Sequence, residues 1–199
     1  MRFSKILSFV FHPVLMPTYA ILLLLYFSKM FSQFMPIEQK THLINLTLIF
    51  TLLLPLLGVF LLKKLKIVSS IYMENQKERK WPLLIAISSY YLLFRMFEFL
   101  HIHPIIIKLI LGAILILFLA VIISNFWKIS LHMLGIGGVF GAFLAFQYLF
   151  GGKLFLIILL LLCSGLVAYA RINENAHTLK QVYLGFLVGF CTEFLIFYF

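Results

Sequence analysis

Unbroken apolar runs constrain this chain more than any other feature of its sequence. Residues 46–62 read LTLIFTLLLPLLGVFLL, and similar runs recur throughout. Hydrophobic residues make up 64% of the 199 residues, whereas soluble domains contain roughly 45–50% apolar residues. Only helices and closed barrels satisfy their backbone hydrogen bonds in lipid, and barrel strands alternate polar with apolar residues. Because these runs do not alternate, we predict an all-α, polytopic transmembrane helical bundle.

Seven segments are apolar enough to cross a bilayer, for which about 20 residues are needed. The first segment can also lie partly at the interface, so the prediction is six or seven spans. No connection is long enough for a soluble domain, so residues 1–199 should form a single membrane domain. Two GxxxG pairs, in residues 137–141 and 185–189, predict close helix packing. The seven segments are approximately residues 14–35, 43–62, 82–100, 105–124, 132–150, 154–170 and 179–198.

Three polar segments should fall on one face of the membrane. They are residues 63–81, 128–133 and 171–181. Two apolar segments separate the first from the second, and two more separate the second from the third. Since two crossings return the chain to the side it left, the three segments are expected to meet. The expectation fails if one of the intervening segments does not span.

The net charge of +10 comes from basic residues that lie between the apolar segments and form no continuous stripe. This distribution indicates positive-inside bias and attraction to anionic lipid head groups, so we expect membrane lipids and not nucleic acid as partners. The polar segments and the amino terminus together hold most of the cations, which predicts a cytoplasmic site. We therefore expect an integral protein of a bacterial inner (cytoplasmic) membrane. The basic residues on that side are Arg2, Lys5, Lys63, Lys64, Lys66, Lys77, Arg79, Lys80, Lys128, Arg171 and Lys180, against Lys29, Lys40, Lys108 and Lys153 opposite.

The three polar segments supply groups that can hold and transfer a phosphate: Arg79, Ser130, His132, Arg171 and His177. The planar fork of arginine matches two phosphate oxygens and stays charged. A neutral histidine can attack phosphorus, and a second histidine can protonate the leaving oxygen. Helix N-termini near the two histidines add backbone N–H donors. The pattern favours phosphoryl transfer, in which positioning and charge stabilisation supply most of the catalysis.

These residues resemble the motifs of the type 2 phosphatidic acid phosphatase superfamily of integral membrane lipid phosphatases. That family carries Lys-x6-Arg-Pro, Pro-Ser-Gly-His and Ser-Arg-x5-His-x3-Asp. Residues 170–181 read ARINENAHTLKQ, which matches the third motif except at its first and last positions, and residues 129–132 read ISLH. The first motif is degenerate, because Arg79 lies three residues before Pro82 and no lysine stands seven residues before it. The resemblance covers approximately residues 77–190.

The resemblance implies a catalytic role for three residues. His177 would be the nucleophile that forms a phosphohistidine, His132 the acid for the leaving group, and Gln181 would stand where an aspartate orients the nucleophile. It also implies a metal-independent reaction without a cofactor, on a lipid phosphate or diphosphate such as a phosphatidate-like, lipid A or polyprenyl substrate. The family usually works on the outer or lumenal face, which disagrees with the side that charge bias predicts. The implied phosphate-binding residues are Arg79, Ser130, Leu131 and Arg171, with Lys77 or Lys80 in place of the missing lysine.

Departures from the family pattern leave an alternative open. Gln181 lacks the negative charge that would stabilise an imidazolium, and Leu131 replaces a glycine whose backbone lies against the phosphate. The alternative is a catalytically silent relative that serves as a lipid-phosphate-binding or structural subunit of a larger membrane complex. A transporter or channel is a third interpretation, but interrupted helices with inverted symmetry are not evident. His101-x-His103 lacks further ligands, so no metal site is expected there.

Overall fold

The computed structural model describes residues 2–68 and 79–199. Every regular element in these ranges is helical, so the predicted all-α bundle is confirmed. Seven helical stretches are long and apolar enough to cross a membrane, judged by length and composition. They are Arg2–Phe27, Ile37–Lys64, Lys80–Phe99, Pro104–Ser124, Leu131–Phe150, Leu154–Asn173 and Leu179–Tyr198.

The first stretch differs from the predicted span at residues 14–35. Proline fixes φ and lacks an N–H group, so the helical stretch is interrupted at Pro13, and an additional helix precedes the predicted segment. Ser28, with an extended backbone (φ −80°, ψ 129°), then ends the second helix earlier than predicted. In order, the chain forms α1 (Arg2–Val10), a 3-10 turn (Pro13–Leu15), α2 (Met16–Phe27) and a short α3 (Lys29–Ser32).

Helix α1 folds back against the carboxyl end of another helix, α9 (Leu154–Asn173). Its buried Ser4 accepts a hydrogen bond from the Asn173 side chain over 2.7 Å. The Tyr19 hydroxyl donates to the carbonyl oxygen of Val10 over 2.9 Å and so ties α1 to α2. These contacts place the amino-terminal helix beside the polar end of the bundle.

The second stretch is one long helix with a π-helical turn inside it. Helix α4 (Ile37–Leu48) passes through this turn (Ile49–Leu53) into α5 (Leu54–Lys64). Pro55 cannot donate a backbone hydrogen bond, which explains the widened turn just before it. The Ser89 hydroxyl donates to a carbonyl oxygen in this turn, that of Phe50.

Helices α6 (Lys80–Phe99) and α7 (Pro104–Ser124) are joined by a turn that uses both residues of the His101-x-His103 pair. His101 has a positive φ of 52°, and its N–H donates to the carbonyl oxygen of Glu98 over 3.0 Å. His103 caps α7, because its Nδ1 accepts the N–H of Ile105 over 3.3 Å. Both histidines therefore have a structural function in the connection.

Helices α8 (Leu131–Phe150) and α10 (Leu179–Tyr198) run parallel in close contact. Helix α9, which connects them along the chain, runs in the opposite direction. Helix α8 is the central helix of the described spans. In its membrane-spanning part 61% is buried, compared with at most 39% in any other span. The two GxxxG pairs lie at the α8–α10 contact, as predicted. A Cβ atom at Gly137 or Gly141 would collide with a carbonyl oxygen of α10. A Cβ atom at Gly189 would collide with a carbonyl oxygen of α8, and one at Gly185 with that of Ser130, just before α8. This close approach fixes the amino ends of α8 and α10 side by side.

Candidate functional site

The structure brings residues from all three polar segments to one end of the bundle. Arg79 immediately precedes α6, Ser130 precedes α8, and Arg171 lies in the last turn of α9. The charges of Arg171 and Arg79 act on His177, and Ser8 makes hydrogen bonds to both Arg171 and His132. The number of spans predicted between these segments therefore agrees with their common position at one end of the bundle.

The turn between α9 and α10 sets the spacing of Arg171 and His177. Asn175 adopts a left-handed backbone with φ of 52°. The N–H groups of Ala176 and His177 donate to the carbonyl oxygen of Arg171 over 3.2 and 3.3 Å, and that of Asn175 donates to Ile172 over 2.9 Å. This is the Schellman arrangement, which satisfies the last carbonyl groups of a helix. It carries the chain from Arg171 to His177 within one tight turn.

Gln181 has two functions at the start of α10. With Thr178 it forms a capping box: Thr178 Oγ1 accepts the Gln181 N–H over 3.4 Å, and Gln181 Oε1 accepts the Thr178 N–H over 3.2 Å. The same Oε1 lies 3.1 Å from His177 Nδ1. Because that oxygen accepts hydrogen bonds, Nδ1 of His177 carries the proton and Nε2 keeps its lone pair. The contact predicted between the two side chains is confirmed.

His177 is held neutral in this environment. Burial lowers its pKa from 6.5 to about 4; the Gln181 hydrogen bond raises the pKa in part, and the charges of Arg171, Arg79 and Lys128 lower it further. Burial, and then the charge of Arg171, also lower the pKa of the Arg79 guanidinium, which nevertheless stays protonated. A neutral imidazole among cations is suited to attack an anionic phosphorus centre.

Arg171 is anchored at one end of its guanidinium. Its Nη1 donates to Glu174 Oε2 over 2.7 Å and to Ser8 Oγ over 2.9 Å. The Ser8 hydroxyl donates in turn to Glu174 Oε1 over 3.1 Å. Among the described residues, the buried Nε of Arg171 has no hydrogen-bond partner. A buried donor without a hydrogen-bond partner destabilises a folded protein unless a bound ligand accepts its hydrogen.

Ser130 offers a second donor of this kind. The residue is fully buried, and its Oγ has no hydrogen-bond partner in the part of the chain that the structure describes, although it stands at the N-cap of α8. Leu131 is the first residue of α8, and it is not among the residues with positive φ. A leucine is therefore compatible with the backbone there, and the helix N-terminus keeps its free N–H groups.

His132 lies against the amino-terminal segment. Its Nε2 is 3.0 Å from the carbonyl oxygen of Ser8, and its ring meets the ring of His12 edge-on at 5.6 Å between centroids. A carbonyl oxygen only accepts, so Nε2 carries the proton. Nδ1 is then the atom through which His132 can accept a proton and later release it.

Of the two lysines predicted in place of the missing one, Lys80 alone is among the described residues. Lys77 lies outside the described residues. Lys80 is exposed, and its Nζ lies over the Trp81 ring at 5.9 Å from the centroid. Among the described lysines, Lys128 lowers the pKa of His177 through its charge, and the sequence analysis did not name it as a site residue.

Sequence reasoning also missed Ser8, His12 and Glu174. Ser8 and His12 are more than 100 residues before the second and third motifs, so no spacing rule connects them to these motifs. Glu174 lies three residues after Arg171, and this helical pairing distance was a usable signal. The T-x-x-Q capping box at residues 178–181 was readable in the same way.

In the described ranges no group of three or more His, Cys, Asp or Glu residues is arranged to hold a metal ion. At the opposite end of the bundle, Arg95 pairs with Glu98 as their spacing predicts. The ring of His103 meets Phe31 edge-on at 5.0 Å. That end therefore presents an ion pair and aromatic packing.

This arrangement can bind a phosphate through Arg171 Nε, Ser130 and the N-terminus of α8, next to a neutral histidine with a free lone pair. No family model, curated protein or solved structure matches this chain.

Proposed function

We propose that this membrane protein is a phosphatase that acts on a lipid phosphate or diphosphate through a phosphohistidine on His177. One observation carries the proposal: Gln181 holds the Nδ1–H of His177 over 3.1 Å, next to Arg171, whose buried Nε has no hydrogen-bond partner among the described residues. The resemblance to the type 2 phosphatidic acid phosphatase motifs supports the same chemistry. A polar site at the end of apolar helices suits a substrate whose head group lies at the bilayer surface.

The first step breaks the bond between phosphorus and the lipid oxygen. The Nε2 lone pair of His177 attacks phosphorus as the bond to the lipid oxygen breaks, and the proton of the phosphate monoanion passes through Nδ1 of His132 to the leaving oxygen. Arg171 and Arg79 offset the charge on the phosphoryl oxygens, and Ser130 donates its hydroxyl hydrogen to one of them. Water then attacks phosphorus, the phosphorus–nitrogen bond breaks, and inorganic phosphate leaves with His177 regenerated.

Gln181 makes this reaction slower than an aspartate would. A neutral amide fixes the tautomer of His177 but does not stabilise the positive charge that develops on the imidazole during attack. Charge-assisted hydrogen bonds are roughly twice as strong as neutral ones. We therefore expect a slow enzyme.

A second candidate function rests on the same residue. If the neutral Gln181 contact abolishes turnover, the protein binds a lipid phosphate without hydrolysing it, as a silent subunit of a larger membrane complex. Gln181 already has a complete structural function in the capping box, which favours this alternative.

The cellular placement is part of the proposal. The excess of basic residues at the site end supports a cytoplasmic-facing site in a bacterial inner membrane. Phosphate release by purified protein from a panel of lipid phosphates, with and without a chelator, tests the activity. Release that is unchanged by the chelator supports the phosphatase. Binding without release supports the silent subunit.

A further inference from the structure

The amino-terminal helix contributes Ser8 to the site through two different atoms. The Ser8 hydroxyl contacts Arg171 and Glu174, and its backbone carbonyl contacts His132. A single residue of α1 therefore touches the groups that would bind the phosphate and protonate the leaving oxygen. None of the three family-like motifs includes this residue.

The hydrogen bonds of Arg171 decide which edge of its guanidinium is free. Nη1 carries two hydrogens, and the two acceptors, Ser8 Oγ and Glu174 Oε2, use both. The remaining fork consists of the Nε–H and one Nη2–H, which are parallel and match two phosphate oxygens. The Nε of this fork is buried and has no hydrogen-bond partner within residues 2–68 and 79–199. Because both hydrogens of Nη1 are used, the edge formed by Nε and Nη2 is the one left to bind a ligand.

His132 is oriented by the same residue. The Ser8 carbonyl oxygen takes the Nε2–H at 3.0 Å, so the ring cannot turn without losing that bond. This leaves Nδ1 as the atom that exchanges a proton with the leaving oxygen. The edge-on contact with His12, at 5.6 Å between ring centroids, supports the ring from the same segment.

We infer that Ser8 is a positioning residue of the phosphate site, and that α1 forms a fourth segment of that site. Its hydroxyl, together with Glu174, aligns Arg171 for two-oxygen binding of a phosphate monoester. The inference rests on the proposed phosphate chemistry, but it concerns binding and can be tested without turnover.

Ser8→Ala removes the hydroxyl and leaves the backbone carbonyl on His132. We expect KM for a short-chain lipid phosphate to rise by about threefold to tenfold, the usual effect of one lost hydrogen bond. The Kd of a short-chain lipid phosphonate, which cannot be hydrolysed, should rise equally in a calorimetric titration. Ser8→Thr keeps a hydroxyl and should restore both values.

Ser4→Ala is the matched control. It removes another hydrogen bond between α1 and α9, the one from Asn173 over 2.7 Å, and touches neither Arg171 nor His132. If docking of α1 were all that mattered, both alanine variants would lose affinity alike. The inference predicts that only Ser8→Ala does so, at similar thermal stability of the two variants.

The outcomes separate the two proposals. Weaker phosphonate binding in Ser8→Ala alone, without phosphate release by any variant, retains the role of Ser8 and overturns the phosphatase. Normal release with equal KM and Kd in all variants overturns the role of Ser8. Tighter binding or faster release in Ser8→Ala also overturns it, because the contact would then restrain Arg171. Absence of phosphonate binding by the wild-type protein overturns both.

Discussion

His177 donates its Nδ1–H to Oε1 of Gln181 over 3.1 Å, and the same oxygen accepts the backbone N–H of Thr178 over 3.2 Å. One amide oxygen therefore fixes both the tautomer of the proposed nucleophile and the first turn of α10. The behaviour of His177 with pH follows from this contact and from burial.

His177 should titrate with a pKa of about 4, because burial disfavours the imidazolium. The unfolded chain binds this proton near pH 6.5, so the stabilising contribution of His177 is complete above pH 6.5 and is lost as pH falls toward 4. Nuclear magnetic resonance of histidine-labelled protein in detergent measures the pKa, and the resonance that disappears in His177→Gln assigns it. A value near 6.5 would contradict the described environment.

Gln181→Glu should raise the pKa of His177 and speed phosphate release. A carboxylate at this position keeps the reach of the glutamine and the capping box, and it adds the charge that stabilises an imidazolium. Gln181→Asp should also speed release, although its shorter side chain fits the contact less well. Thr178→Ala is the control: it weakens the cap by about 1 kcal/mol without adding charge. If Gln181→Glu and Gln181→Asp both bind lipid phosphate but remain inert, the silent-subunit alternative is correct.

Arg171→Lys should weaken binding of the lipid phosphonate by roughly tenfold to a hundredfold, because a lysine keeps the charge but has no fork. Arg171→Ala should weaken it further and also remove the ion-pair partner of Glu174. Calorimetric titration measures the Kd of the phosphonate for each variant, and Arg95→Lys, at the opposite end of the bundle, is the control. Equal affinities in the Arg171 and Arg95 variants would remove Arg171 from the site.

Gly189→Ala should destabilise the protein by on the order of 2 kcal/mol, since its Cβ would collide with the Leu134 carbonyl oxygen and push α8 from α10. Gly165→Ala on α9 is the matched control, because a Cβ there meets nothing within 4 Å. Alanine also favours helix over glycine, so that variant should be unchanged or up to about 1 kcal/mol more stable. Unfolding in denaturant measures the free energy of unfolding of both variants. A neutral Gly189→Ala would contradict the close α8–α10 contact.

The bundle and the meeting of the polar segments were predictable because apolar length and crossing parity are local properties of the sequence. The spacing of Gly185 and Gly189 predicted a close helix contact, but the pairing of α8 with α10 was not predicted. The interruption at Pro13 was not predicted, because the apolar pattern continues through it. Ser8 could not be predicted at all, since it joins the site only through the tertiary packing of α1 on α9.

The face of the membrane can be tested with single cysteines. Asn125 is exposed at the site end and Gln39 is exposed at the opposite end. In a background without Cys163 and Cys191, we expect an impermeant reagent to label Gln39→Cys in intact cells and to spare Asn125→Cys. The reverse pattern would place the site on the outer face, where the resembled family usually works.

Trapping of the phosphoryl group on His177 tests the central proposal most directly. Purified protein would be mixed with a lipid phosphate carrying labelled phosphorus, quenched in base within the first turnover, and digested for mass spectrometry. We predict an alkali-stable, acid-labile phosphohistidine at His177 that is absent from His177→Ala, together with loss of phosphate release in that variant. Phosphate release that persists in a His177→Ala protein free of contaminating phosphatase would contradict the assignment of His177 as the nucleophile.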